Sequence, residues 1–316
     1  MRDKRIRSLD TNKRQIRKDS RTGGTAKYYL VAIPLLVFWF ILHIYPNIEI
    51  FGISFYRWNG LSNNMTWLGL QNFKVIFKSD QWFKKYFFNT SSYVVYTVVI
   101  QTILAMMLAL VLRKSNPRNN FFRALFFLPI VLSSVAIGLT WSYIYDPNVG
   151  LLHSFFEALG LDKLADFQYI SGRYQALFFI ALVGIWSGIG IPITLFTAGF
   201  QSIPEEIYEA SALDGANGWQ TFWGITLPQM VPTILRVMML SISGAAMAFD
   251  LVLLLGGSQL LNVREFDTWA VAIYKAMVAD TNYGMVAANS TVLAVFLFII
   301  CLVQYIMTKK AEDSYL

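Results

Sequence analysis

The segment IPEEIYEASALDGA occupies residues 203–216 and lies between two long apolar segments of a 316-residue chain. It is followed by Phe222, Ile225, Leu227 and Pro228. A polar stretch of this length within an apolar chain must contact water or another protein, and its small residues allow a partner surface to come close. The segment therefore predicts a docking element between two membrane helices.

The composition places most of this chain in a lipid bilayer. Hydrophobic residues make up 56% of the sequence and charged residues 14%, whereas charged residues usually make up about a quarter of a soluble domain. The mean hydropathy is +0.48. These values predict an integral membrane protein.

Charge-free segments predict the membrane spans, because crossing the hydrocarbon core takes about 20 apolar residues. Four such segments are long enough: 86–112, 124–145, 174–204 and 281–308. A further span is expected near 28–48, where Pro34 and Pro46 are tolerated if neighbouring helices satisfy the freed carbonyls. The remaining span, 228–255, is the fifth in chain order and contains the charged residues Arg236 and Asp250. The fold class predicted is all-α, a polytopic membrane protein with about six transmembrane helices.

Basic residues in short flanking segments predict the orientation. The first 27 residues hold ten Lys or Arg against three Asp, and the connection between spans two and three holds four basic residues and no acid. The amino terminus and this connection are therefore expected in the cytoplasm, and Lys309-Lys310 indicates a cytoplasmic carboxyl terminus as well. The first outer loop is also basic, and the loop between spans four and five is acidic, so their sides follow from the order of spans. The expected domains are a basic segment 1–27, a transmembrane domain 28–308 and a tail 309–316.

Several functional classes find little support. A basic segment beside a first span usually sets topology and contacts lipid headgroups, which we favour over a nucleic-acid tail. Cys301 lies in the last span, and His43 and His153 are far apart, so neither a metal site nor a catalytic constellation is expected. The chain has no Gly-Lys-Ser or Gly-Lys-Thr phosphate-binding string. Any ATP and Mg would therefore be bound by a partner, and no cofactor is expected on this chain.

The segment after the fourth span predicts two short helices on the membrane surface. Ser202 precedes Glu205 by the spacing of a capping box, and Pro204 suits a first helical turn, so a helix should begin near Ile203. Gly215 should help to end it. A second amphipathic piece should then end at Pro228, with apolar residues Trp219, Phe222, Trp223, Ile225 and Leu227. An interfacial loop whose aromatic residues rest among headgroups fits these residues equally well.

These residues resemble a known family. The run Glu209-Ala210-Ser211-x-x-Asp214-Gly215-Ala216, with Phe222, Ile225 and Leu227-Pro228 after it, resembles the EAA loop of bacterial ABC importer permeases of the maltose-transporter-like, sugar-uptake class. Ser211 stands where that family usually has Ala. The resemblance extends over roughly residues 28–308. Further matching positions are Ser54 to Trp58, Gly69 to Phe73, Asn89-Thr90, Phe122-Arg123, Leu128-Pro129, Trp141, Gly256-Gly257-Ser258 with Ser in place of Pro, Tyr283-Gly284 and Ala287-Ala288.

The resemblance implies a subunit of a larger machine in the bacterial inner membrane. Such permeases pair with a second permease, which in this subclass is a different protein, and they sit on two cytoplasmic ATPase subunits. An extracellular binding protein delivers the sugar or oligosaccharide. The segment would be a coupling helix that fits a groove on one ATPase and works as a rigid lever. The coupling residues implied are Glu209, Ala210, Ser211, Asp214, Gly215, Ala216, Ile225, Leu227 and Pro228.

The substrate path is less defined by the sequence. Arg236 and Asp250 would lie about 21 Å apart in one straight helix, so they cannot pair. A carboxylate at depth costs about 2.5–3.5 kcal/mol on insertion scales, which favours a water-filled cavity over lipid, although a structural bond to a neighbouring helix remains an alternative. Weaker candidates for the path are Trp186, Thr194, Asn289 and Gln101. The fourth helix is expected to break or thin at Gly184, Gly188, Gly190 and Pro192, although glycines also serve close helix packing.

Other classes of membrane protein were weighed against an importer. A membrane enzyme would need convergent titratable groups or metal ligands, and the intramembrane polar residues are too few. An ion-coupled secondary carrier would show several buried acids and usually internal repeats, whereas this chain has one deep acid and no evident repeat. A membrane receptor or scaffold is physically possible. Co-purification of an ATPase would support the importer.

Overall fold

The computed structural model describes residues 29, 32–61, 64–256, 264–279 and 282–315. Within these ranges the chain is almost entirely helical. Two short strands, β1 (Tyr56–Arg57) and β2 (Thr66–Trp67), pair antiparallel in the loop between the first and second spans.

Two features singled out in the sequence lie outside the described residues. These are the basic segment 1–27 and the Gly257-Ser258 part of the glycine turn.

The described helices vary from four residues to more than thirty. The long ones contain π turns at Phe40–Ile44, Asp80–Tyr86 and Phe222–Thr226. In chain order the helices are α1 (Ala32–Ile53), α2 (Gln71–Lys78), α3 (Asp80–Leu112), α4 (Pro117–Phe127), α5 (Ser134–Ile144), α6 (Leu151–Ala158), α7 (Asp162–Ala165), α8 (Tyr174–Gly188), α9 (Gly190–Gln201), α10 (Glu205–Leu213), α11 (Gly218–Ala246), α12 (Asp250–Leu254), α13 (Trp269–Ala279) and α14 (Tyr283–Tyr315).

Up to six membrane spans can be counted in the described chain, if each bent pair of helices forms one span. Four helices, α1, α3, α11 and α14, are long and apolar enough to cross a bilayer, and two bent helix pairs supply the others. The bent pairs are α4 with α5, and α8 with α9. The predicted fold class, an all-α polytopic membrane protein, is confirmed.

The third span is not the straight helix predicted over 124–145. The chain turns through 98° between α4, extended by a 3-10 turn at Leu128–Val131, and α5. Pro129 opens that tighter turn, and Ser133 then caps α5, its hydroxyl accepting a hydrogen bond from the Ala136 N–H at 3.2 Å. With 11 residues, α5 is about 17 Å long and cannot cross the hydrocarbon alone.

The predicted break in the fourth span is confirmed. Helices α8 and α9 meet at Ile189 with a bend of 57°. At the bend, Gly190 packs directly on α4, since a Cβ at Gly190 would lie 2.8 Å from Phe127 Cα. The same glycine therefore serves both the bend and the close helix packing that were posed as alternatives.

The fifth span differs from the predicted 228–255. It begins earlier, at Gly218, and ends at Ala246, after which Met247 to Phe249 leave the helical path. Asp250 opens a separate short helix, α12. The prediction that Arg236 and Asp250 share one straight helix is therefore wrong. Phe249, with φ of −126° and ψ of −62°, interrupts the helical path.

Helix α3 forms the centre of the bundle, where it packs against α8, α9 and α11. Its Ala105 and Ala109 are fully buried beside Phe196 and Val237, because small residues let the helix backbones approach. By contrast, no described residue of the α1 span is buried. In a bilayer this apolar helix faces lipid or another subunit.

Candidate functional site

The polar segment after α9 folds as a short helix, a glycine turn and a new helix start; we call residues 203–228 the coupling loop. After α10, Gly215 adopts φ of +80°, a left-handed conformation that is strained for residues with a Cβ. Asn217 then caps α11. Its side chain accepts a hydrogen bond from the Gln220 N–H at 3.0 Å, and the Gln220 side chain accepts one from the Asn217 N–H at 2.9 Å.

The capping box predicted at Ser202 and Glu205 is wrong. The Ser202 hydroxyl donates instead to the Gly199 carbonyl at 2.8 Å, because Ser202 still belongs to the end of α9. Pro204 precedes α10 and makes no side-chain capping bond. The capping box of the coupling loop lies at Asn217 and Gln220, after the glycine turn.

The prediction that Pro228 ends the second amphipathic piece is also wrong. The helix that starts at Gly218 continues through a π turn at Phe222–Thr226 into the membrane-spanning part of α11. Pro228 lies in the first turn after this π segment. A proline removes one N–H from the helical ladder, and the change from π to α hydrogen bonding occurs where that donor is missing.

The base of the coupling loop is fixed to the carboxyl-terminal end of α3. Gln201 Nε2 donates to the Arg113 carbonyl at 2.9 Å, and the Arg113 guanidinium lies 5.7 Å from the centre of the Tyr208 ring. Within the loop, the Thr226 hydroxyl donates to Tyr208 Oη at 3.3 Å. The loop is thereby tied both to its neighbouring helix and to itself.

Ser211, one of the implied coupling residues, packs inside the loop. It is only 6% exposed, and its hydroxyl donates to the Tyr208 carbonyl at 2.9 Å and lies 3.4 Å from Thr221 Oγ1. The spacing Ile207, Tyr208, Ser211 places these residues on one face of a helix. That face packs against the rest of the loop, and the helical spacing of these three residues could have identified it from the sequence.

The opposite face of α10 and the glycine turn are open. Leu213 is 89% exposed although it is apolar. It lies two residues after the buried Ser211, about 200° around the helix, and our sequence analysis missed it. Of the other implied coupling residues, Glu209, Ala210, Asp214 and Gly215 are exposed, whereas Ala216, Ile225, Leu227 and Pro228 are half-buried.

A cavity of about 460 Å³ opens among α3, α5, the α8–α9 pair, α11 and α12. Tyr93 and Gln101 line it from α3, and Ser187 and Ser241 line it from α8 and α11. Asp250, at the start of α12, completes this polar lining. The volume lies within the range of small-molecule sites in proteins, about 300–1,000 Å³.

Two of the five candidates for a substrate path, Gln101 and Asp250, line this cavity, and the other three do not. Trp186 packs against Trp141, with ring centroids 5.5 Å apart. The Thr194 hydroxyl donates to the Gly190 carbonyl at 2.9 Å, within its own helix.

Asn289 is the third candidate outside the cavity and is fully buried. It donates to the Met285 carbonyl at 3.0 Å and accepts from Trp269 Nε1 at 3.3 Å. The bond from Trp269 joins α13 to α14, whereas the bond to Met285 lies within α14, so both bonds of Asn289 are internal to the protein.

An ionic cluster at the opposite end of the bundle from the coupling loop was missed by our sequence analysis. Asp267 is completely buried, and Lys275 Nζ lies 2.7 and 2.9 Å from its two carboxylate oxygens. Arg264 Nε donates to Asp267 Oδ1 at 3.2 Å. Burial lowers the pKa of both the Lys275 ammonium and the Arg264 guanidinium, and the Asp267 carboxylate opposes that shift. The eight-residue spacing of Asp267 and Lys275 crosses a loop-to-helix boundary, so helical periodicity does not reveal the pair.

Asn89 connects this cluster to two further spans. Its side-chain amide donates to the carbonyls of Glu265 and Asp267, each at 2.7 Å, and its Oδ1 accepts from Arg173 Nε at 2.5 Å. The amino-terminal ends of α3 and α8 and the segment before α13 are thus held together.

Comparison with known proteins places this architecture in a family. Residues 101–312 match the model of the family described as "Binding-protein-dependent transport system inner membrane component". The chain is 31% identical to the probable ABC transporter permease protein YurN of Bacillus subtilis (strain 168) over 288 residues, 90% of this chain and 97% of that one. It is 29% identical to the multiple sugar-binding transport system permease protein MsmF of Streptococcus mutans serotype c, over 88% of this chain and 93% of that one.

A solved structure has the same fold. It is a bacterial ABC transporter involved in the import of the acidic polysaccharide alginate, and one of its chains aligns with a TM-score of 0.75. The alignment covers 94% of this chain and 98% of that chain, with 20% sequence identity.

Proposed function

The chain belongs to the family of binding-protein-dependent transport system inner membrane components, and from this we propose that it forms half of the translocation pathway of an ATP-driven importer of sugars or oligosaccharides. It is a multi-pass membrane protein and a transporter permease subunit. The observation that carries the proposal is the coupling loop, an exposed short helix on a base fixed to two spans that also line the cavity.

The coupling loop is suited to receive force from another protein. Its open face presents Glu209, Leu213 and Asp214 around a glycine turn, whereas its inner face is fixed by Ser211, Tyr208 and Thr226. The two carboxylates offer charge-assisted hydrogen bonds to basic or amide groups of a partner. Because the inner face is closely packed, displacement of the outer face moves the attached helices rather than the loop alone.

ATP would be bound and hydrolysed on that partner, with its Mg. The sequence lacks a phosphate-binding string, and no bound cofactor is assigned to this chain. Two cytoplasmic ATPase subunits, a second and different permease, and an extracellular binding protein complete the proposed complex. The exposed apolar surface of α1 is available to lipid or to the second permease.

The neighbours of the coupling loop support a cytoplasmic position for it. The loop contacts Arg113, which opens the basic connection between the second and third spans. That connection holds four basic residues and no acid, the pattern of a cytoplasmic loop. With six spans, both termini then lie in the cytoplasm.

A sugar as the solute is favoured by the relative described as a multiple sugar-binding system permease and by the cavity lining. Hydroxyl and amide groups of Tyr93, Gln101, Ser187 and Ser241 can exchange hydrogen bonds with sugar hydroxyls. We propose that Asp250 and Gln101 contribute to this path.

Reconstitution tests the proposal. The complete complex in proteoliposomes should import a neutral oligosaccharide from a panel of di- and trisaccharides, and import should require ATP, the ATPase subunits and the binding protein. The Gly215→Asp variant should remain in the membrane but lose solute-stimulated ATP hydrolysis. Gly160→Asp is a matched control, because Gly160 also has a positive φ, of +69°, and lies in the loop between α6 and α7. Uptake that persists without any ATPase would instead show an ion-coupled carrier.

A further inference from the structure

We propose that the cavity selects its solute by charge, admitting neutral oligosaccharides and repelling those that carry uronate, phosphate or sulfate groups. This inference rests on the proposed function and narrows the class of sugar.

The charge of the described cavity lining is entirely negative. Asp250 is its one charged residue among the described part of the chain, which contributes no Lys, Arg or His to the wall. The remaining polar groups are hydroxyls and the amide of Gln101. A solute anion in the cavity would therefore meet a carboxylate and, from the described residues of this chain, no compensating cation.

Asp250 lies on the cavity wall. Asp250 is exposed, and none of the described residues is hydrogen-bonded or ion-paired to it. An ionised carboxylate within the membrane requires water or polar ligand groups around it, and the cavity supplies the space for both. Sugar hydroxyls can donate to this carboxylate, whereas a second carboxylate cannot.

The walls of the cavity strengthen the effect of this single charge. The lining is mainly apolar, with residues such as Ile137, Leu195 and Val237, and low-dielectric walls focus the field of a charge into the space between them. Like charges a few ångströms apart repel more strongly there than in bulk water. A carboxylate without a cationic partner among the described residues can serve to reject an anionic ligand.

Fold similarity does not determine the charge of the cargo. The structure that aligns with this chain belongs to a transporter of an acidic polysaccharide, yet the two chains share 20% of their residues. The selection must therefore come from particular wall residues, which can differ within one fold.

Thiol chemistry measures the charge of the cavity directly. In the complete complex with Cys301→Ser, the variant Gly244→Cys places a thiol on the cavity wall, where a Cβ meets no atom within 4 Å. Two methanethiosulfonate reagents of similar size are compared, one with a trimethylammonium group and one with a sulfonate. After correction for their rates with a free thiol, the cationic reagent should react about tenfold faster with Cys at 244.

Substitution of Asp250 identifies the source of this preference. Asp250→Asn should bring the two corrected rates to within about twofold of each other, and Asp250→Glu should retain the preference. A thiol introduced by Leu61→Cys, in the first outer loop, is the control, and its rates should not change with Asp250→Asn. Equal corrected rates at position 244 with Asp250 present, or a preference that survives Asp250→Asn, would overturn the inference.

Transport assays separate this inference from the proposed function. If the cationic preference is present but no oligosaccharide is imported with ATP, the proposed function fails while the charge of the cavity stands. If an oligouronate is imported as fast as a neutral oligosaccharide of equal length, the charge selection fails while the importer stands.

Discussion

Single residues decide how the coupling loop meets its partner. Ser211 and Leu213 are two positions apart, yet one is buried and the other is 89% exposed. The inner residue fixes the shape of the loop, and the outer one offers apolar surface. At this scale, hydrophobicity alone did not predict burial, because position around a short helix determines which side chain faces the base.

Leu213→Ser should weaken binding of the ATPase. A buried Leu side chain contributes about 1.5–3 kcal/mol, so the affinity should fall roughly tenfold to a hundredfold. The measurement is the dissociation constant for the isolated ATPase and the detergent-solubilised permease pair. Leu61→Ser is the matched control, because Leu61 is 94% exposed in the first outer loop. Equal affinities for both variants would show that Leu213 does not reach the ATPase.

Asp267→Asn should strongly destabilise the outer end of the bundle. It leaves the buried Lys275 without its anionic partner, which typically costs about 3–5 kcal/mol. The thermal unfolding midpoint of the purified complex in detergent measures the effect. Asp80→Asn removes an exposed pair with Lys84, whose N···O distance is 2.7 Å, and should change stability by less than about 1 kcal/mol. A drop in midpoint no larger than that of Asp80→Asn would contradict this account of the cluster.

At the scale of helices, the sequence predicted the presence of membrane spans better than their bends and breaks. Charge-free runs located the spans because hydrocarbon demands apolar length. The sequence did not predict the breaks at Leu132 and Phe249. Their positions depend on tertiary packing and local backbone geometry, not on composition. Glycines did predict the bend at Ile189, because Gly188 and Gly190 remove side chains that would resist it. Asp250 was expected in a cavity wall and lies in one, although on a separate helix from the one assumed.

Gly190→Ala should loosen the contact between α4 and α9. The added Cβ would lie 2.8 Å from the Phe127 backbone, and overpacking of this kind costs about 1–3 kcal/mol. The unfolding midpoint should fall. Gly52→Ala in α1 is the control, because a Cβ there meets nothing within 4 Å. If both variants unfold at the same temperature, the close contact at Gly190 has no energetic consequence.

For the whole molecule, topology followed from charge only in part. The first outer loop is basic, although basic loops usually lie in the cytoplasm. Its side was therefore predicted from the order of the spans along the chain. The structure adds an independent argument, because the coupling loop contacts the connection after α3 whereas the outer ionic cluster joins the opposite ends of the same spans. The coupling loop and the ionic cluster therefore lie at opposite ends of the helix bundle, an arrangement that no local sequence pattern specifies.

Labelling in whole cells tests this sidedness. In a Cys301→Ser background, a membrane-impermeant maleimide should label Leu61→Cys without lysis but should label Ala212→Cys only after lysis. Both positions are exposed, so accessibility within the protein is matched. Labelling of the thiol at position 212 in intact cells would place the coupling loop outside and refute the importer.

Helix α11 runs without interruption from its cap at Asn217 to the cavity wall at Gly244, and its 29 residues span about 43 Å. In the proposed importer, one continuous helix would therefore carry both the movement imposed by the ATPase and part of the wall of the solute cavity. Thermodynamic linkage then requires reciprocity: if engagement of the motor alters the affinity of the cavity for solute, an occupied cavity must alter the affinity of the loop for the motor by the same factor. Solute bound in the cavity would thus change the affinity of the coupling loop for the ATPase before any ATP is hydrolysed.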